Sequence, residues 1–135
     1  MKRRTLPLPG GLAMLFSEGL VVPRRPAYLL FVVDQPYEGD LQPRFVPFIT
    51  TLAGSIGRKP EDIRVRNIHV EPLENVLQDV AAHSERVEAV FWFGVTPPRG
   101  SYEGPQHALP SMEDTIMDRS AKIRLWKALK SHART

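Results

Sequence analysis

A single three-layer α/β domain with a mainly parallel central sheet is the fold this sequence predicts, and three observations predict it. The stretches Tyr28 to Val33 and Ala89 to Phe93 are continuously apolar. As strands they present hydrophobic side chains to both faces of a sheet and need cover on both. Around them the apolar period changes to three and four, the spacing of amphipathic helices. The resulting order of strand, helix, strand, helix, strand and terminal helix is that of parallel strands joined by crossover helices. A chain of 135 residues with 42% hydrophobic content suits one domain with its own core. It divides into an N-terminal segment, 1–27, and the α/β domain, 28–135.

The N-terminal segment holds Pro7, Pro9, Gly10, Gly11, Pro23 and Pro26, so it forms neither one continuous helix nor a central strand. Its apolar residues Leu12, Leu15, Phe16, Leu20, Val21 and Val22 are too many for a solvated tail. They fold onto the domain or onto a partner. After the first strand, Asp34 to Asp40 reads as a turn. Phe45, Phe48, Ile49, Leu52 and Ile56 then recur at helical spacing, with Pro47 in the first turn and Gly57 as the stop. Pro60-Glu61-Asp62 leads into a second strand, Ile63 to Val70, whose alternation slips at Asn67. From Pro72, the residues Leu73, Val76, Leu77 and Val80 mark a second helix ending around His83-Ser84, and Gly94 closes the third strand. Val95 to Pro110 is a long Pro/Gly-rich loop with room for a short edge strand near Gln106-His107-Ala108. Ser111, with Asp114 three residues on, predicts a helix N-cap, and Ser120 caps a further helical segment after a bend.

Chemical motifs are few. Without cysteine there is no disulfide, no thiolate zinc site and no cysteine nucleophile. His69, His83, His107 and His132 show no i, i+4 pair, so no metal is assigned, and no cofactor is expected. Phosphate-loop, dinucleotide, Gly-x-Ser-x-Gly and His-Glu-x-x-His patterns are missing. A catalytic reading rests on the loop after the first strand, where open α/β sheets bind ligands. There Asp34 or Asp40 would act as general base with His107 as electrophile, although acidic residues in turns are also ordinary turn formers.

The net charge is +3, and after Asp118 the chain carries no acid. Arg119, Lys122, Lys127 and Lys130 there are candidate contacts for DNA or an acidic partner. The competing expectation is a solvated face on a helix whose Ile123, Trp126 and Leu129 turn inward, with Leu125 beside them. Trp126, Met112, Ile116 and Met117 are accordingly assigned to the core. No apolar run reaches membrane-spanning length. The basic start Met1-Lys2-Arg3-Arg4 is followed by Pro7 and Pro9 and by no small-residue cleavage site. The expected location is the cytoplasm.

The run Leu109-Pro110-Ser111-Met112-Glu113-Asp114, followed by Lys122-Ile123-Arg124-Leu125-Trp126-Lys127-Ala128-Leu129-Lys130, resembles the end of the psi subunit of bacterial DNA polymerase III. Phe91-Trp92-Phe93-Gly94 and Leu29-Leu30-Phe31-Val32-Val33-Asp34 share the resemblance, which covers most of residues 28 to 130. It implies a non-catalytic subunit that joins the chi subunit to the clamp-loader collar. An N-terminal peptide would grip the collar, and chi would in turn reach single-stranded DNA-binding protein. On that basis Leu12, Leu15, Phe16, Leu20 and Val22 are the clamp-loader-binding anchors. The resemblance also implies a fold similar to uracil-DNA glycosylases. Asp34-Gln35-Pro36-Tyr37 is similar to their water-activating loop, and His107 with Pro110-Ser111 to their His-Pro-Ser motif. Gln35 stands where that loop's catalytic aspartate would be, and an amide cannot act as a general base. The remaining alternatives are a glycosylase-like DNA repair enzyme and an unrelated α/β protein-interaction module.

Overall fold

The computed structural model describes residues 27–100 and 102–133. The N-terminal anchors Leu12, Leu15, Phe16, Leu20 and Val22 lie outside the described residues. Four strands, β1 (Tyr28–Val33), β2 (Ile63–Asn67), β3 (Val87–Phe93) and β4 (Gln106–Leu109), form one sheet. Its order is β2-β1-β3-β4, and every neighbouring pair is parallel. Four helices flank it: α1 (Val46–Ser55), α2 (Leu73–Ala82), α3 (Met112–Met117) and α4 (Arg119–Lys130).

Strand order decides which face each helix covers. The chain moves one way from β1 to β2 and the opposite way from β2 to β3, so two right-handed crossovers put their helices on opposite faces. Leu29, Phe31, Val33, Ala89, Phe91 and Phe93 accordingly pack against Ile49 and Ala53 of α1, Met112 of α3, and Leu125 and Leu129 of α4. Tyr28, Leu30, Val32, Val90 and Trp92 pack against Val76 and Val80 of α2. The connection from β3 to β4 continues the second direction, and its Tyr102 joins the α2 side as the same rule requires. Phe31 sits 5.1 Å from Phe91 and 4.9 Å from Phe93 by ring centroids, both tilted. Fully burying one such side chain is worth about 1.5–3 kcal/mol.

Local signals end most elements where the sequence places them. Gly57, at φ 71°, closes α1 in the left-handed conformation that costs other residues a steric clash. Ser111 Oγ accepts the Asp114 N–H at 3.1 Å and caps α3. The second helix boundary differs from expectation. Asp118, not Ser120, caps α4, its carboxylate accepting the Ser120 N–H at 3.1 Å. A carboxylate at this position also meets the positive end of the helix dipole.

Other corrections concern edges and rotation. β2 stops at Asn67 instead of Val70, because the Asn67 side chain takes over the pairing. β3 starts two residues before Ala89, at Val87. The register against β1 passes from Tyr28↔Val87 to Leu29↔Ala89, so Glu88 is an extra residue that the ladder absorbs as a bulge. In α4 the inward residues are Ala121, Leu125 and Leu129, while Ile123 and Trp126 are 43% and 40% exposed. Met117, also assigned to the core, is 81% exposed, whereas Met112 is fully buried and Ile116 partly so. Small residues at Ala121 and Ala128 let the stripe through Leu125 and Leu129 close on the sheet, and that rotation carries Trp126 outward.

Candidate functional site

At the C-terminal end of the strands, between β1 and β3, the chain direction switches, which is where α/β sheets usually open a ligand crevice. In this chain the loop on the β1 side of that switch is tied to β2 by one side chain. Asn67 has no exposed surface. Its Oδ1 accepts from the backbone N–H of Gln35 at 2.9 Å and of His69 at 3.1 Å. Its Nδ2 donates to the carbonyls of Gln35 at 2.9 Å, Tyr37 at 3.3 Å and Gly39 at 3.0 Å. The amide thus replaces a backbone peptide and prolongs the β1–β2 ladder past its last pair, Val33↔Asn67. The loop after β1, which carries the carboxylates, is held down by this one side chain.

The start of α3 comes close to the end of β3. Gly94 follows β3 at φ 71°, and a Cβ there would lie 3.1 Å from Ser111 Cα. Only glycine combines that conformation with so close an approach of the α3 N-terminus. Gly94 N–H donates to the Leu109 carbonyl at 2.8 Å, tying the ends of β3 and β4 together.

The expected catalytic partners are not brought together. Asp34 is half-exposed with His69 Nδ1 3.7 Å from its Oδ1. Asp40 Oδ1 accepts the Asn67 N–H at 3.3 Å. His107 lies in β4 opposite Phe91, which is itself opposite Phe31. Asp34 is three residues beyond Phe31 and two strands away, so the two are separated by roughly 10 Å along the strands and 10 Å across them. Gln35 is buried, and its Oε1 has no hydrogen-bond partner among the described residues.

His107 belongs instead to a polar chain on the α4 side of the sheet. Its ring stacks on Phe91 at 4.7 Å between centroids, and its Nε2 lies 3.3 Å from His132 Nε2. His132 Nδ1 is 3.4 Å from one Glu88 oxygen, and Arg58 pairs with the other. Arg58 Nε also donates to the His132 carbonyl at 3.0 Å. Arg58 is fully buried as a side chain, and the Glu88 bulge is what aims a carboxylate at it. This chain fastens the end of α4 to β3 and to the turn before β2. Burial, and secondarily repulsion from His132, lowers the His107 pKa below its usual 6.5.

On the other face, Arg66 of β2 makes a bidentate pair with Glu71 at 2.7 and 2.6 Å and reaches Asp79 of α2 at 2.6 Å. The hydrogen bond from Arg66, opposed by partial burial, lowers the Glu71 pKa. Tyr102 donates its hydroxyl to the Val87 carbonyl and accepts at its own carbonyl from Gln106, which in turn holds Trp92 Nε1 at 2.8 Å. Burial first, and the Glu88 charge second, raise the Tyr102 pKa.

The candidate contacts Arg119, Lys122, Lys127 and Lys130 are all exposed on α4. They lie at three- and four-residue intervals together with Ile123 and Trp126, on one outward stripe. None of the four side chains makes a hydrogen bond or ion pair with a described residue. Arg124, off that stripe, donates to the Ala108 carbonyl of β4 at 3.2 Å. The exposed Trp126 escapes sequence reasoning because its spacing from Ile123 and Leu129 is equally that of an inner face. The available signal is that cations occupy 122 and 130, one helical turn to either side of it, and 127 beside it. Asn67 is signalled only by the slip in alternation, and Glu88 only as the lone acid entering an apolar run.

The described residues contain no group of three or more side chains that could hold a metal ion. No described helix is long and apolar enough to cross a membrane. Fold and site together define an α/β domain whose loop after β1 is tied to β2 by Asn67 and whose α4 carries a basic stripe with no carboxylate partner among the described residues. No protein-family model matches the chain, and no curated protein matches its sequence.

Proposed function

We propose that the chain is a non-catalytic bridging subunit of the replicative DNA polymerase III clamp-loader assembly, the role implied by its resemblance to psi subunits. In this role the α/β domain binds the chi subunit, and residues 1–27 bind the clamp-loader collar. Single-stranded DNA-binding protein is reached indirectly, through chi. The work takes place in the cytoplasm, where the replication machinery operates. The observation that carries the non-catalytic part is that the loop after β1, where the catalytic reading puts its base, is tied to β2 by the buried Asn67 amide. Every hydrogen-bonding group of its amide is engaged with the β1–β2 region, which leaves the loop around Asp34 committed to structure. The separation of His107 from Asp34, two strands across and three residues along, supports the same reading, since a base and an electrophile acting on one small group must both reach it.

Calorimetric titration of the collar with the full chain and with a chain lacking residues 1–27 tests the proposal. Binding by the full chain that disappears on truncation is the expected result. Binding by both would move the collar contact into the α/β domain and remove the role of Leu12, Leu15, Phe16, Leu20 and Val22. Binding by neither at micromolar concentration would refute the collar assignment.

A further inference from the structure

The outward stripe of α4 joins three properties that an ordinary solvated helix face does not combine. Its cations Arg119, Lys122, Lys127 and Lys130 have no carboxylate partner among the described residues. No acid lies within the helix, and Asp118 at its start is engaged as the N-cap. In the middle stands Trp126, 40% exposed, with Ile123 one turn before it. From residue 119 to residue 130 the stripe runs about 16 Å along the helix axis.

We infer that this stripe binds single-stranded nucleic acid, with phosphates on the four cations and a base stacked on the Trp126 indole. The inference goes beyond the bridging role, whose contacts are with proteins, and stands or falls separately from it. Lysine is depleted from the cores of protein–protein interfaces, yet Lys122, Lys127 and Lys130 surround the only large apolar groups on this face. A single strand meets both halves of the stripe, because it offers dense negative charge and unstacked bases to an aromatic ring. A duplex offers the charge but keeps its base faces stacked.

The test is titration of the full chain with an oligothymidylate of about twelve nucleotides, at salt from about 50 to 200 mM, followed by tryptophan fluorescence. Trp92 is 1% exposed and hydrogen-bonded to Gln106, so quenching reports on Trp126. Quenching is expected, with log affinity falling against log salt at a slope of about −3 for four phosphates. Trp126→Ala, followed by the anisotropy of the same oligonucleotide carrying a fluorescein label because the reporting indole is gone, should weaken binding between about fivefold and a hundredfold without changing that slope. Joint replacement of Lys122 and Lys127 by Gln should make the slope shallower by about 1.4. Both variants change exposed positions, and circular dichroism verifies their fold. Equal affinity for a duplex or for polyglutamate, absence of quenching, or unchanged affinity in Trp126→Ala would each overturn the inference. A polyglutamate result as strong as the oligonucleotide's would assign the stripe to an acidic protein instead.

Discussion

At the C-terminal end of the strands the buried Asn67 amide holds the loop after β1 through neutral hydrogen bonds, whereas toward the other end the Arg58–Glu88 ion pair, with His132 against it, fastens α4. The first replaces backbone pairing past the end of β2, and the second is built on the side chain at the bulge in β3. The difference lies in what each costs to disturb. A neutral amide leaves unsatisfied donors and acceptors behind at any pH. A charged chain leaves a stranded ion, and His107 at its far end has a pKa lowered by burial.

The largest effect is expected at the neutral end. Asn67→Leu leaves the Gln35 and His69 N–H groups and the Gln35, Tyr37 and Gly39 carbonyls without their partner, and should cost about 4 kcal/mol in urea unfolding, at acid and neutral pH alike. Arg58→Met should cost about 2–3 kcal/mol by the same measurement. That is below the usual range for breaking a buried pair because Glu88 is 30% exposed and regains water. An equal loss in the two variants would erase the distinction in magnitude. The two positions are separated by the length of the sheet, so Asn67→Leu and Arg58→Met should add within about 0.5 kcal/mol.

A smaller effect separates the ends by pH. The His107 pKa is lowered in the folded protein, so the unfolded chain binds the proton more readily over the window below 6.5. Stability from this group is therefore complete above pH 6.5 and declines as pH falls from there toward the lower folded value. Unfolding of His107→Gln across pH 5 to 8 should lack this component, while Asn67→Leu should retain it. A pH profile unchanged by His107→Gln would break the comparison. The smallest change belongs to a residue of neither end. Trp126→Ala should alter stability by less than about 1 kcal/mol, since the side chain is 40% exposed.

The elements were legible where a local signal decides them. The uninterrupted apolar runs give β1 and β3, Pro and Gly bound α1, and Ser111 caps α3 through its own hydroxyl. Sequence also locates the cations Arg119, Lys122, Lys127 and Lys130 on one helix. It does not fix that helix's rotation, because Ile123, Trp126 and Leu129 satisfy helical periodicity as well as Ala121, Leu125 and Leu129 do. Nor does it pair Arg58 with Glu88, thirty residues apart, or show that His107 meets His132 and not Asp34.

Sequence by itself therefore determined a parallel α/β domain, its helices and strands, and the charge of its last helix, since periodicity and capping act within a few residues. Tertiary structure alone decided that Asn67 would complete the sheet, that Glu88 would bulge toward Arg58, and that Trp126 would face outward. Each of these depends on which surfaces meet across the sheet. That choice is made by the combined burial of residues distant in the chain, and no short stretch of sequence carries it.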